Sequence, residues 1–292
     1  MSSHFLYERW LATSHAFAGE IALFDLASDK SWTFAQLRRE SEQLEKTSAP
    51  LAFPCGSDPG FILSVLNAWR DRSVTCPLEA GQSAQHIPNP AADIAHLKLT
   101  SATSGVSKCI AFTGPQLAAD ADNIMQTMGL TVESPNLSCI SLAHSYGFSN
   151  LVLPLLLHGV PLVLVPAPLP ELLMRAAKPF RSISLPAVPA LWKTWYVSKS
   201  IPPNTRIAIS AGAPLPLELE QTVFEESNLK IHNFYGSSEC GGIAYDRTNF
   251  PRAAANCVGS ALTNVTLSIS SAGNLVIESA AVGQTYLPEP QP

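Results

Sequence analysis

Charge is sparse in this sequence. Of its 292 residues only 14% are Asp, Glu, Lys or Arg, the net charge is −5, and no run of basic residues occurs. A nucleic-acid surface carries clustered Lys and Arg, so that class of partner is excluded. The six cysteines, Cys55, Cys76, Cys109, Cys139, Cys240 and Cys257, form no C-x-x-C pair, and no H-E-x-x-H is present. A zinc site is therefore not expected. Dispersed cysteines in a chain this long predict free thiols and a cytoplasmic protein rather than a disulfide scaffold. The absence of G-x-S-x-G argues against an α/β-hydrolase nucleophile. The absence of G-x-G-x-x-G removes the usual dinucleotide fingerprint. Met1 to Arg9 lacks the apolar core of a signal peptide. The one long apolar stretch, Leu151 to Pro170, contains His158 and five prolines. It reads as two core elements around a turn at Gly159, not as a membrane span.

Apolar material, by contrast, is ample: 46% of the chain is hydrophobic, enough for one large domain or two. Thr33 with Gln36 spells a capping box, with Trp32 and Leu37 at the staple positions and Phe34, Leu37 and Leu44 as the apolar stripe. A second helix is predicted from Pro115 to about Gly129, with Leu117, Ala121, Ile124 and Met128 inward. A third follows Pro216, with Leu219 and Phe224 inward. Strand-length apolar runs lie at Ser138–Ser141, Leu162–Val165, Ser182–Leu185, Arg206–Ser210 and Lys230–Phe234. Short apolar strands alternating with helices predict βαβ units and a buried, mostly parallel sheet. Val265, Leu267 and Ile269 alternate with polar residues, and Ala272-Gly273-Asn274 turns the chain into Leu275-Val276-Ile277. That is a hairpin. The expected fold is α/β, with layered parallel and mixed sheets, flanking helices and a small β-barrel-like end. The division falls into a core over 1–257 and a β module over 258–292.

Four stretches could carry chemistry. Thr100-Ser101-Ala102-Thr103-Ser104-Gly105-Val106-Ser107-Lys108 offers hydroxyls, one glycine and a lysine after an apolar run. Such a loop can wrap phosphate oxygens, although it lacks the Walker A spacing and also reads as a solvated Ser/Thr loop. Leu142-Ala143-His144-Ser145-Tyr146-Gly147-Phe148 follows a strand, and a lone histidine is more often structural than catalytic. Ser210-Ala211-Gly212-Ala213-Pro214-Leu215 runs a strand into small residues, so a flat ligand could approach the backbone; the plain alternative is a strand-to-helix turn. Tyr235-Gly236-Ser237-Ser238-Glu239 places an aromatic ring, hydroxyls and a carboxylate at a strand end, where open α/β sheets bind ligands; the plain alternative is a loop with one exposed acid.

In this order and spacing the four stretches resemble the adenylate-forming superfamily of acyl- and aryl-CoA synthetases, carrier-protein ligases, adenylation domains and luciferases. Thr100 to Lys108 is similar to the family's T-S-G-T-T-G-x-P-K, His144 to Gly147 to H-S-x-G, Ser210 to Leu215 to S-G-G-A-P-L, and Tyr235 to Glu239 to Y-G-S-T-E. Trp32 to Leu37 is similar to a family helix, and Asn256 to Leu262 to its V-G-x-P strand. The resemblance implies a ligase that joins a carboxylic acid to AMP from Mg²⁺–ATP, then passes the acyl group to coenzyme A or a carrier-protein phosphopantetheine. It implies that Thr100, Ser101, Thr103, Ser104, Gly105 and Lys108 hold phosphates, that Ala211, Gly212, Ala213, Tyr235 and Gly236 enclose adenine, and that Ser238 meets the α-phosphate. Glu239 would bind Mg²⁺, and His144 would sit beside the acid with Tyr146 and Phe148 nearby. Lys108, His144 and Glu239 are the implied catalytic residues.

The sequence departs from the pattern in places. Ala102 stands for a glycine, Ser107 for a proline and Cys109 for a glycine. Family members continue into a ribose-binding T-G-D, a hinge and a lid domain with a catalytic lysine; here the last lysine is Lys230 and the only aspartate after Glu239 is Asp246. The expectation is an N-terminal core whose activity is impaired or depends on a lid or partner in trans. A non-catalytic nucleotide- or acid-binding scaffold is the competing reading. No Asp or Glu lies between Glu133 and Glu171, which predicts an acid without an α-amino group, since a buried ammonium would lack a partner.

Overall fold

The computed structural model describes residues 2–79, 81–82, 87, 90–99 and 109–287. Its first part runs α1 (Ser2–Ala16), β1 (Ile21–Asp25), β2 (Lys30–Thr33), α2 (Phe34–Gln43), β3 (Leu51–Ala52), α3 (Pro59–Arg70), β4 (Val74–Thr75), β5 (Ile94–Leu99) and β6 (Cys109–Thr113). Next come α4 (Gly114–Met128), β7 (Asn136–Ser138), α5 (Ser145–Gly147), a π-helical turn over Phe148–Val152, α6 (Leu153–His158), β8 (Leu162–Leu164), α7 (Pro170–Ala177) and β9 (Ile183–Ala187). The remainder is α8 (Pro189–Val197), β10 (Thr205–Ser210), α9 (Leu217–Ser227), β11 (Ile231–Ser237), β12 (Gly241–Tyr245), β13 (Ser260–Ala261), β14 (Thr266–Ile269), β15 (Leu275–Glu278) and β16 (Thr285–Leu287).

Local chemistry sets several of these boundaries. The Thr33–Gln36 capping box forms in both directions, and a matching box joins Thr113 to Gln116 at the start of α4. The latter therefore begins at Gly114, one residue before Pro115. Gly129 and Gly159 end α4 and α6 in the left-handed conformation, so the stretch from Leu151 does divide at Gly159 into a helix and a strand. Among the described residues no helix is long and apolar enough to cross a membrane.

The larger sheet has nine strands in the order β13-β12-β11-β10-β9-β7-β8-β1-β2. Strands β11, β10, β9, β7, β8 and β1 pair in parallel, and antiparallel strands finish both edges. A second sheet of five strands runs β16-β6-β5-β4-β3. Helices α1, α3, α4 and α6 fill the space between the sheets, around Trp10, Phe61, Trp69, Phe112 and Phe148. Helices α7, α8 and α9 cover the far face of the larger sheet, around Trp192 and Trp195. β8 shows why its sequence is apolar throughout: Leu162 and Leu164 face one layer, Val163 the other.

Three expectations need adjusting. Phe224 is only half-buried; Val223 and the wholly buried Glu220 turn inward beside Leu219. Leu44 lies just past α2, as its cap. The expected hairpin forms as β14-β15, but as a two-stranded ribbon with no closed barrel among the described residues. β13 joins the nine-stranded sheet, and β16 crosses to the other sheet and pairs with β6.

Candidate active site

Parallel strands leave their carboxyl ends open, and the loops after β7, β10 and β11 meet there. After β7, His144 caps α5, its Nδ1 accepting from the Tyr146 amide at 3.2 Å. Gly147 follows because nothing larger fits: a Cβ there would lie 1.9 Å from the Ser141 carbonyl oxygen. This close approach seats Tyr146 inward, its hydroxyl on the Ile209 carbonyl at 3.4 Å. Burial pushes the Tyr146 hydroxyl well above its ordinary pKa, so it stays protonated. Phe148, expected near the acid, instead turns into the core and packs on His96 with ring centroids 4.3 Å apart.

The helix then widens. Pro154 has no N–H, so the Asn150 carbonyl loses its ordinary helical partner; Asn136 Nδ2 takes it at 3.1 Å. The chain accommodates this with the π turn over Phe148–Val152.

Two cavities adjoin on this edge. The first, of about 260 Å³, is walled by residues of the His144–Asn150 segment, by Ala211 and Gly212, and by parts of 234–242. The second, of about 380 Å³, runs along Gly212–Leu215, Asn233–Gly236 and the loop bearing Arg252 and Asn256. Gly212, Phe234 and Gly236 belong to both. Gly212 has φ +85°, a conformation an L side chain adopts only with strain, and it leaves the rim open to a flat group. Tyr235 is 41% exposed beside the second cavity.

Hydrogen bonds fix the polar residues between them. Ser145 Oγ donates to Ser238 Oγ at 3.1 Å, which leaves the Ser238 hydroxyl hydrogen free to donate elsewhere. Tyr286 on β16 donates to Glu239 Oε1 at 3.0 Å, and no hydrogen bond to Oε2 forms among the described residues. Burial, with Glu239 adding to it, raises the Tyr286 pKa. Beneath this turn sits Asp120 of α4, which accepts from Ser149 Oγ at 2.6 Å and from the Gly242 amide at 2.9 Å. Lys98 is buried nearby, its ammonium 4.5 Å from the centre of the Phe112 ring. Burial lowers its pKa, against the opposing charges of Asp120, Cys240 and Glu239.

The structure thus brings His144, Ala211, Gly212, Ala213, Tyr235, Gly236 and Ser238 to the two cavities, with Glu239 following Ser238. Thr100, Ser101, Thr103, Ser104, Gly105 and Lys108 lie outside the described residues. Sequence reasoning missed Asn150, Asp120 and Arg252. Nothing local in the sequence marks any of the three as buried. Among the described residues no group of three or more His, Cys, Asp or Glu side chains could hold a metal ion.

Known proteins share sequence or fold with this chain. A 4-coumarate–CoA ligase from Rhodobacter capsulatus is 31% identical over 151 residues, 51% of this chain and 38% of that protein. The chain thus matches about two-fifths of that relative's length. The O-succinylbenzoate coenzyme A synthetase of Bacillus subtilis, solved with AMP, superposes with a TM-score of 0.82 at 16% identity, covering 96% of this chain and 89% of that one. ATP-bound MatB from Rhodopseudomonas palustris gives 0.80 at 15% identity, covering 99% and 72%. At such identities these structures establish a shared fold. The AMP-binding enzyme family matches residues 55–290, and the chain belongs to that family.

Proposed function

We propose that this chain is the core of an ATP-dependent ligase that activates a carboxylic acid as its acyl-adenylate. The observation that carries this reading is the sharing of Gly212, Phe234 and Gly236 by two adjoining cavities. A small acid in the first and adenosine in the second would meet at that shared wall, with Ser238 on the first cavity's side. In this reading the acid's carboxylate oxygen attacks the α-phosphorus of ATP. The bond from that phosphorus to the bridging oxygen breaks, and pyrophosphate leaves. Such a transfer depends on positioning and on neutralising charge.

Each residue has a definable part. Gly212, Ala213 and Tyr235 would enclose the base. Ser238, free to donate, would bind an α-phosphate oxygen. His144 would border the acid, oriented by its bond to the Tyr146 amide. The phosphate loop with Lys108 would hold the leaving pyrophosphate. Glu239 would offer Mg²⁺ its Oε2, which suits an ion that takes one or two carboxylates together with phosphate oxygens. When bound, Mg²⁺ would offset phosphate charge. Among the described residues no Asp or Glu lines the acid cavity, which favours an acid without an α-amino group. The acyl group would then pass to coenzyme A or to a carrier-protein phosphopantetheine. A lid or carrier protein acting in trans would aid both steps.

Acid-dependent ATP–pyrophosphate exchange, with AMP binding measured alongside, tests this. Exchange with a fatty or aromatic acid, lost in Lys108→Ala and Glu239→Ala, is the expected result. Nucleotide binding with no exchange would favour a binding scaffold or the need for a lid in trans. No binding of ATP or AMP at millimolar concentration would overturn the proposal.

A further inference from the structure

Glu239, the carboxylate read above as the metal ligand, is held by a segment from late in the chain. Its backbone is fixed first. The Cys240 amide donates to Ser237 Oγ at 3.2 Å, and the Gly283 amide donates to the Glu239 carbonyl at 2.7 Å. Three residues after Gly283, the Tyr286 hydroxyl donates to Glu239 Oε1 at 3.0 Å. Among the described residues no other hydrogen bond or ion pair holds that carboxylate.

The same segment reaches the other sheet. The Gln284 amide donates to the Ala111 carbonyl at 2.8 Å, and Tyr286 and Leu287 pair with Ile110 and Cys109 of β6. Cys109 directly follows Lys108 in the sequence. Residues 283–287 therefore tie Glu239, which follows β11 of the larger sheet, to the strand of the smaller sheet that follows the phosphate-loop stretch.

A glutamate side chain turns about several bonds, and a carboxylate left free loses that freedom each time it takes a ligand. The tyrosine hydroxyl orders it beforehand. Its donor is neutral, so the carboxylate keeps the charge that a cation needs; an Arg or Lys at the same distance would offset it. Burial, with Glu239 adding to it, raises the Tyr286 pKa, so the hydroxyl stays protonated and donating at neutral pH. We infer that Tyr286 is a positioning residue for metal binding, which holds Glu239 Oε1 and so leaves Oε2 to take Mg²⁺. This rests on the reading of Glu239 as the metal ligand. Loss of a hydrogen-bond partner behind a metal ligand typically costs roughly 10–100-fold in metal affinity.

The test titrates Mn²⁺, followed by electron paramagnetic resonance, onto the whole chain loaded with ATP. Calorimetry gives ATP affinity in EDTA alongside. Tyr286→Phe keeps the ring and removes the hydroxyl; Tyr286→Leu replaces it if the phenylalanine variant does not fold. Mn²⁺ should bind about tenfold or more weakly in the variant, while metal-free ATP affinity stays within about twofold. Glu239→Gln should weaken Mn²⁺ at least as much. Adding Tyr286→Phe to it should change little more, because the hydroxyl acts through that carboxylate. Unchanged Mn²⁺ affinity in Tyr286→Phe overturns this inference alone. So does an equal loss of metal-free ATP affinity, or an undiminished effect in the Glu239→Gln background. Mn²⁺ affinity that Glu239→Gln leaves unchanged overturns the metal reading of Glu239 and this inference with it. Failure of ATP itself to bind overturns both, together with the adenylate reading.

Discussion

Glu220 is wholly buried on α9, and its loss should be felt both in stability and at the nucleotide cavity. Its carboxylate accepts from Lys230, from Arg252 Nε at 2.7 Å and from the Arg252 amide at 3.0 Å. Asp246 takes the Lys230 ammonium at 2.6 Å, so two cations and two anions balance inside the fold. Glu220→Gln leaves one positive charge uncompensated, a change that costs about 3–5 kcal/mol for a buried pair. At about 2.1 cal/mol/K of unfolding entropy per residue, 292 residues give roughly 0.6 kcal/mol/K. The melting temperature should therefore fall by about 5–8 °C. Arg252 Nη2 also donates to the Leu215 carbonyl at 2.8 Å, and both residues line the larger cavity. AMP affinity should therefore drop in step. Pairing Glu220→Leu with Arg252→Met restores neutrality and should regain much of the melting temperature, but not the AMP affinity, because Leu215 stays untethered. Differential scanning calorimetry with AMP titration reads both quantities. A fall of less than about 2 °C in Glu220→Gln would refute the reasoning.

Three further outcomes are expected. Gly212→Val forces a side chain into φ +85° at the shared cavity wall, so AMP affinity should fall at least about tenfold by titration while the circular dichroism spectrum is kept. Burial would raise the Asp122 pKa, but hydrogen bonds from His158 and Arg9 outweigh it and hold the carboxyl down to about 2. A depressed carboxyl stabilises the fold above its ordinary value of 3.8 and loses that contribution as pH falls towards about 2. Asp122→Asn should therefore flatten the urea midpoint between those two values. Burial raises the Cys139 and Cys76 thiols to about 12, whereas Cys55 and Cys257 are exposed. A disulfide reagent should label Cys55 and Cys257 at once and the buried pair only on unfolding.

Much of the fold was legible where one local rule governs a segment. The Thr33 box, the stripe of α4 and the Gly273 turn needed only neighbouring residues. Helix α1 was not legible: Leu6, Tyr7 and Trp10 are all buried against several neighbours, and no single apolar stripe announces it. Nothing in the sequence marks Glu220 and Asp120 as buried, and only the packed fold supplies their partners. At the site, glycine and hydroxyl stretches were visible because backbone and phosphate chemistry constrain them together. The π turn around Asn150 was invisible because it depends on Pro154 four residues later and on Asn136 from another strand.

Each sheet is completed from the opposite end of the chain. Strands β1 and β2 dock beside β8, so Leu23 waits for Leu162, while β16 returns so that Tyr286 meets Ile110. On the ribosome the first strand emerges with no sheet to join, and contacts this distant in sequence form slowly. The interval is a period of exposed edges, in which β8 and β6 each offer unpaired backbone. Cleaving the chain between the two sheets would therefore produce sticky pieces rather than two folding halves. Refolding yield should depend on protein concentration more than on temperature.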